Sequence, residues 1–231
     1  ADPDMLHPAE FNSVRNVSFY NETGRLFPQP YIDRTSFTRL GECAYQITLD
    51  DNFVRLQRDN EMMARFGGQA RLREGHYIAM PMRTGSAIDI FRCENVTLED
   101  VTLYQTPGFG IAELEGGGGH TYRRVKIIRR PGTRRLAVSA ADLFHSNLVG
   151  RGPLIEECEF SHAFDDAINL HGRFATVLER TDAQSLVIMH TYGNELGKGS
   201  RIRFVEPSEM FDQGEGVVES VQQVPVGTPR Q

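Results

Sequence analysis

An offset of 24 residues runs through the middle of this chain and restricts its fold more than any other feature. Three segments share the order apolar, two polar, apolar, polar, apolar: Leu98-Glu-Asp-Val101-Thr-Leu, Tyr122-Arg-Arg-Val125-Lys-Ile and Ile155-Glu-Glu-Cys158-Glu-Phe. Their alternation is that of short strands with one buried face. Val101 lies 24 residues before Val125, and Val125 lies 33 before Cys158. A second series follows them: Gly108-Phe-Gly-Ile-Ala112, Ala141-Asp-Leu-Phe-His145 and Asp165-Asp-Ala-Ile-Asn169. Here the long step comes first, with 33 residues from Phe109 to Asp142 and 24 from Asp142 to Asp166. One insertion of nine residues accounts for both irregularities, and the turn-rich stretch Pro131–Ala137 suits it.

A step of this length, built from short strands and Gly or Asn corners, predicts the coil of a right-handed parallel β-helix. No long amphipathic pattern interrupts the strands, which excludes Rossmann and TIM arrangements. Asn16-Val-Ser-Phe-Tyr resembles Asn95-Val-Thr-Leu and is expected to form an earlier coil. From about Arg173 the texture changes to Ala175–Glu179, Ser185–His190 and Arg201–Val205, strands separated by Asp, Gly and Asn turns. The expectation is an all-β chain. Residues 1–175 form the parallel β-helix, and 176–231 form an appended antiparallel β-element, for which a small barrel is one arrangement. The polar end, Pro225–Gln231, is expected to fray.

Composition removes several classes of function. Hydrophobic content of 39% and charged content of 24% are those of an ordinary folded protein. No stretch approaches the roughly 18 consecutive apolar residues of a membrane span. A formal charge of -6 argues against a nucleic-acid partner, and the Arg residues between 123 and 135 read as a solvated rim. Three cysteines (Cys43, Cys93, Cys158) include no Cys-x-x-Cys spacing, so zinc and redox roles are not expected. Cys93 and Cys158 are expected as small buried apolar groups. Ala1-Asp2-Pro3 opens no signal peptide and reads as a cloning remnant beside a trimmed one, with an extracellular or periplasmic location expected.

Neighbouring coils of a β-helix lie about 4.8 Å apart, so the 24-residue step brings Asp142 beside Asp166, with Asp165 adjoining. Carboxylates this close repel, which favours one of them keeping its proton. An acid beside an ionised partner is the pair that glycoside hydrolysis needs, one to protonate the leaving oxygen and one to activate water or attack. His145, Asn169 and His171 fall close by as substrate-binding candidates, with Glu113 one coil earlier and Arg151 beyond. Adjacent strand residues point to opposite faces, so Asp165 and Asp166 can share the cleft only at a corner or bulge. The same aspartates could instead cap turns or hold a structural cation. Two rival functions remain: a non-catalytic carbohydrate-binding β-helix, and a calcium-dependent polysaccharide lyase or epimerase. A lyase would need Arg151 or Arg173 as proton acceptor.

Ala141-Asp-Leu-Phe-His145, Ile155–Phe160 and Phe164-Asp-Asp-Ala-Ile-Asn-Leu-His-Gly172 together carry a family likeness. The sequence resembles the α-1,3-galactosidases of glycoside hydrolase family 110, chiefly between Asn95 and Gly172. More distantly it resembles the polygalacturonases, whose Gly-His-Gly and Arg-Ile-Lys motifs it lacks. The first resemblance implies a right-handed parallel β-helix and an inverting, cofactor-free hydrolase that releases terminal α-linked galactose from a glycan. It implies Asp165 as general acid, with Asp142 and Asp166 positioning the water, and no metal. A shortened relative would leave one coil end uncovered, so self-association into a homo-oligomer is also expected.

Overall fold

A computed structural model describes residues 16–26, 32–41, 44–49, 72–80, 84–172, 174–189 and 196–223. Cys43, Arg173, His190 and the Pro225–Gln231 tail lie outside them. Strands are the only regular elements among the described residues, and the chain divides into two compact units, Ala1–Arg173 and Phe174–Gln231.

The first unit opens with an antiparallel sheet in the order β3-β2-β1-β4, formed by β1 (Asn16–Tyr20), β2 (Ile32–Arg39), β3 (Tyr45–Leu49) and β4 (Tyr77–Ala79). Val17 and Phe19 bury one face of β1 against Leu49, Leu72, Ile78 and Met80. This corrects the expectation of an earlier coil at Asn16–Tyr20. The segment shares the alternation of a coil strand, but its partners run the other way.

The parallel β-helix follows. β5 (Ser86–Phe91), β8 (Phe109–Leu114), β11 (Phe144–Asn147) and β14 (Ile168–His171) stack as one parallel sheet. β6 (Thr97–Glu99), β9 (Thr121–Arg123) and β12 (Leu154–Glu156) form a second. The third contains β7 (Thr102–Leu103), β10 (Lys126–Ile127) and β13 (Glu159–Phe160). The registers follow the sequence offsets: Thr102 pairs with Lys126 and Lys126 with Glu159, while Ile111 pairs with Phe144 and Phe144 with Ile168. The extra residues lie between Ile127 and Val138, where Thr106 N donates to Val138 O and Val138 N to His162 O.

The polar pairs in the sequence pattern mark sharp corners. Asp100, Arg124 and Glu157 occupy one bend on successive coils with φ of 56°, 53° and 52°, and Arg92, Glu115 and Leu148 occupy another with φ of 53°, 59° and 61°. Such left-handed backbone costs a non-glycine residue about 1–2 kcal/mol. The coils recover part of this by stacking opposite charges. Arg124 donates from Nε and Nη2 to the Asp100 carboxylate at 2.7 and 2.8 Å, and Arg123 bridges Glu99 and Glu156. The guanidinium beside it holds the Asp100 carboxyl below its usual range.

Ile90, Ile111, Tyr122, Val125, Ile127, Leu143 and Phe144 fill the coil interior. Cys93 and Cys158 pack against it as free thiols, half-buried rather than fully enclosed as expected. In the second unit, β15 (Thr176–Arg180) pairs with β16 (Leu186–Met189), and β17 (Arg201–Val205) with β18 (Asp212–Val217), both antiparallel. The described residues there form two separate two-stranded sheets, not a closed barrel.

Candidate active site

The site grows from the register of the first parallel sheet. Alternation sends Ile88, Ile111, Phe144 and Ile168 inward as one column, and Ile90, Glu113, Ser146 and Leu170 inward as another. The outward columns are then Asp89, Ala112, His145, Asn169 and, two positions along, Phe91, Leu114, Asn147, His171.

Asp142 and Asp165-Asp166 sit where the chain turns into β11 and β14, ahead of the strands themselves. Two backbone bonds fix the corner: Gly110 N donates to Asp142 O at 3.0 Å and Leu143 N to Asp166 O at 2.9 Å. The buried Phe164 anchors it from inside, and its N–H donates to Ser139 Oγ, whose hydroxyl in turn bonds Ala141 O. Gly110 is obligatory for this approach, because a Cβ there would lie 2.2 Å from the Leu143 carbonyl oxygen. Because the aspartate pair lies at a corner, strand alternation does not separate its side chains. One carboxylate oxygen from each of Asp142, Asp165 and Asp166 lies within 4.8 Å of the others. Asp142 is buried and the other two are exposed.

That spacing has two chemical uses. Two oxygens less than 5 Å apart can share one water, since each hydrogen bond to it spans about 2.7–2.8 Å. Oxygens so arranged also match the 2.3–2.6 Å ligand radius of a calcium ion.

His145 stands next to the cluster. Its Nδ1 is 2.7 Å from Asp142 Oδ2, the Phe109 ring packs on it at 4.5 Å, and its Nε2 meets His171 Nε2 at 3.4 Å. Asn169 shares its outward column. The sequence-derived candidates His145, Asn169 and His171 are therefore gathered on the rim that carries the aspartates.

Glu113 and Arg151 are not. Glu113 is fully buried and accepts a 2.7 Å bond from Tyr122 Oη, because it shares the inward parity of Ile111. It lines no cleft. Burial first, then this bond, pushes the Tyr122 phenol well above its ordinary value. Arg151 follows β11 at its far end and donates to Asn95 Oδ1 at 2.8 Å across the glycine corner. Gly118 has φ of 67° there, and a Cβ on it would lie 2.1 Å from the Arg151 carbonyl oxygen. Gly116–Gly119 is thus a coil corner. Sequence reading missed Phe109, which packs on His145. Phe109 lies one long step before Asp142, so the register held the signal.

Comparison with known proteins adds an independent line. No family model matches the chain. It is 28% identical over 176 residues to alpha-1,3-galactosidase A of Bacteroides fragilis, an alignment covering 74% of this chain and 28% of that protein. It is 26% identical over 143 residues to alpha-1,3-galactosidase B of Akkermansia muciniphila, covering 57% of this chain and 17% of that protein. Alpha-1,3-galactosidase A of the same organism is 24% identical over 139 residues, covering 58% and 23%. The chain thus spans under a third of the length of these distant homologues.

Proposed function

We propose that the first unit carries the carboxylate site of a glycosidase that releases terminal α-linked galactose from a glycan, with α-1,3 linkages its natural target. The reading rests on the close grouping of Asp142, Asp165 and Asp166 on the rim of a parallel β-helix. The names of the distant homologues support the sugar and the linkage. Family 110 membership and secretion belong to the same proposal.

The burial difference suits a division of roles. Exposed Asp165 can meet a glycosidic oxygen and protonate it as the leaving group departs. Asp142 and Asp166 hold one water between them and take its proton as it attacks the anomeric carbon. Water entering opposite the leaving group inverts that carbon in one displacement. Asn169, outward on the same sheet, offers an amide to sugar hydroxyls.

Asp165→Asn tests the assignment. Hydrolysis of an aryl α-galactoside is expected to fall by at least ~10³-fold, with the melting temperature within a few degrees of the parent. Equal rates in variant and parent would remove Asp165 from its role. Proton NMR of the first product formed reads the stereochemistry, and release of the β-anomer is expected. A second reading comes from the oxygen spacing, which a divalent cation also matches: a calcium-dependent lyase. In that case a chelator abolishes activity and the products absorb in the ultraviolet.

A further inference from the structure

We infer that His145 is a positioning residue for Asp142, its tautomer set by that carboxylate and its ring held between Phe109 and His171. Its catalytic consequence rests on the glycosidase reading above; its geometry does not.

The side chains of His145 and Asp142 are 14% and 4% exposed, so the imidazole is too enclosed to serve first as a sugar contact. An ionised carboxylate only accepts hydrogen bonds, so the 2.7 Å contact places a proton on His145 Nδ1. A carbonyl oxygen likewise only accepts. The 3.0 Å contact of His171 Nδ1 with Gly172 O therefore places a proton on that Nδ1 as well. Both rings consequently turn Nε2 toward each other, at 3.4 Å, and a hydrogen bond between those two nitrogens forms when one of the rings carries a second proton as the imidazolium.

Register explains the meeting. His145 pairs with Asn169 and Asn147 with His171, so the two histidines are diagonal neighbours on the outer face of β11 and β14. Phe109 closes the opposite side of His145, its ring 4.5 Å away and inclined by 32°, while His171 meets it edge-on at 5.0 Å and 75°. The imidazole is flanked by a ring on each of these two sides. With Oδ2 of Asp142 engaged, rotation of that carboxylate is restrained. Such outer partners set the orientation of a working group without touching substrate.

The test uses the whole chain and two readouts. Long-range ¹⁵N–¹H NMR of the sugar-free protein is expected to show His145 and His171 both protonated at Nδ1, and Asp142→Leu to release His145 toward the Nε2-protonated tautomer. In kinetics, His145→Phe keeps a ring against Phe109 but removes the donor. We expect kcat to fall by ~10²-fold with KM changed less than ~3-fold, as for lost positioning rather than lost binding. His145→Asn, whose amide can replace the Nδ1 donor, is expected to recover at least ~10-fold of that loss. A His145 protonated at Nε2 alone in the parent protein would overturn the inference, as would a His145→Phe defect confined to KM. If the parent hydrolyses no α-galactoside, the functional reading fails while the NMR result still decides the pairing.

Discussion

Two buried tyrosines show how much a single hydroxyl depends on its surroundings. Tyr122 Oη donates to Glu113 at 2.7 Å inside the coil, whereas Tyr20 Oη has no partner among the described residues. The same change to Phe should therefore have opposite signs. Tyr122→Phe strands a buried carboxylate and is expected to cost ~2–4 kcal/mol, seen as a lower midpoint in chemical denaturation. Tyr20→Phe removes an orphaned group and is expected to be neutral or to stabilise by up to ~1 kcal/mol. Burial pushes the Tyr20 phenol up to about 12. The stabilisation linked to it is complete below the unfolded value near 10 and fades as pH rises through about 12. Tyr20→Phe should accordingly flatten the alkaline loss of stability across that window. Glu113 was misplaced from sequence for a related reason. Its charge suggests a cleft, but its parity with Ile111 sends it inward, where Tyr122 meets it.

For the strands and corners, register was legible because two series of side chains report the same coil step. Asp142 and Asp166 could be set side by side from numbering alone. The first coil was less visible: β5 pairs Ile88 with Ile111, one residue short of the 24-residue step, so Ser86–Phe91 matches neither series. Antiparallel pairing of β1 was equally hidden, since alternation records which face is buried and not the direction of the neighbour. Close backbone approach was invisible too. Gly110→Ala would push β8 from β11 beside Asp142, and a stability loss of more than ~3 kcal/mol is expected in thermal unfolding. Glu157→Asn should act in the other direction, because Asn tolerates the left-handed backbone found there at 52°. A gain of up to ~1 kcal/mol, or a few degrees in melting temperature, is the expected reading.

Across the whole β-helix, burial fades toward the last coil. Within one inward column Ile111 is fully buried and Ile168 is 46% exposed, and no strand beyond β14 pairs with it among the described residues. Truncation should follow that gradient. Ile111→Ala is expected to cost ~2–5 kcal/mol and Ile168→Ala less than about half as much, compared by denaturant midpoint at constant slope. This fold class was readable because a coil imposes its spacing on every residue it stacks. The tail carried no such constraint, so its antiparallel character was readable, while the expected barrel gave way to two separate hairpins among the described residues. The nine additional residues ahead of Asp142 are a bulge on an otherwise regular screw thread, and pairing resumes undisturbed at Val138. Lengthening a loop costs only ~0.6 kcal/mol per doubling. That bulge is accordingly the cheapest place for a lineage to experiment: its length and chemistry can drift while the thread beneath keeps the aspartates in place.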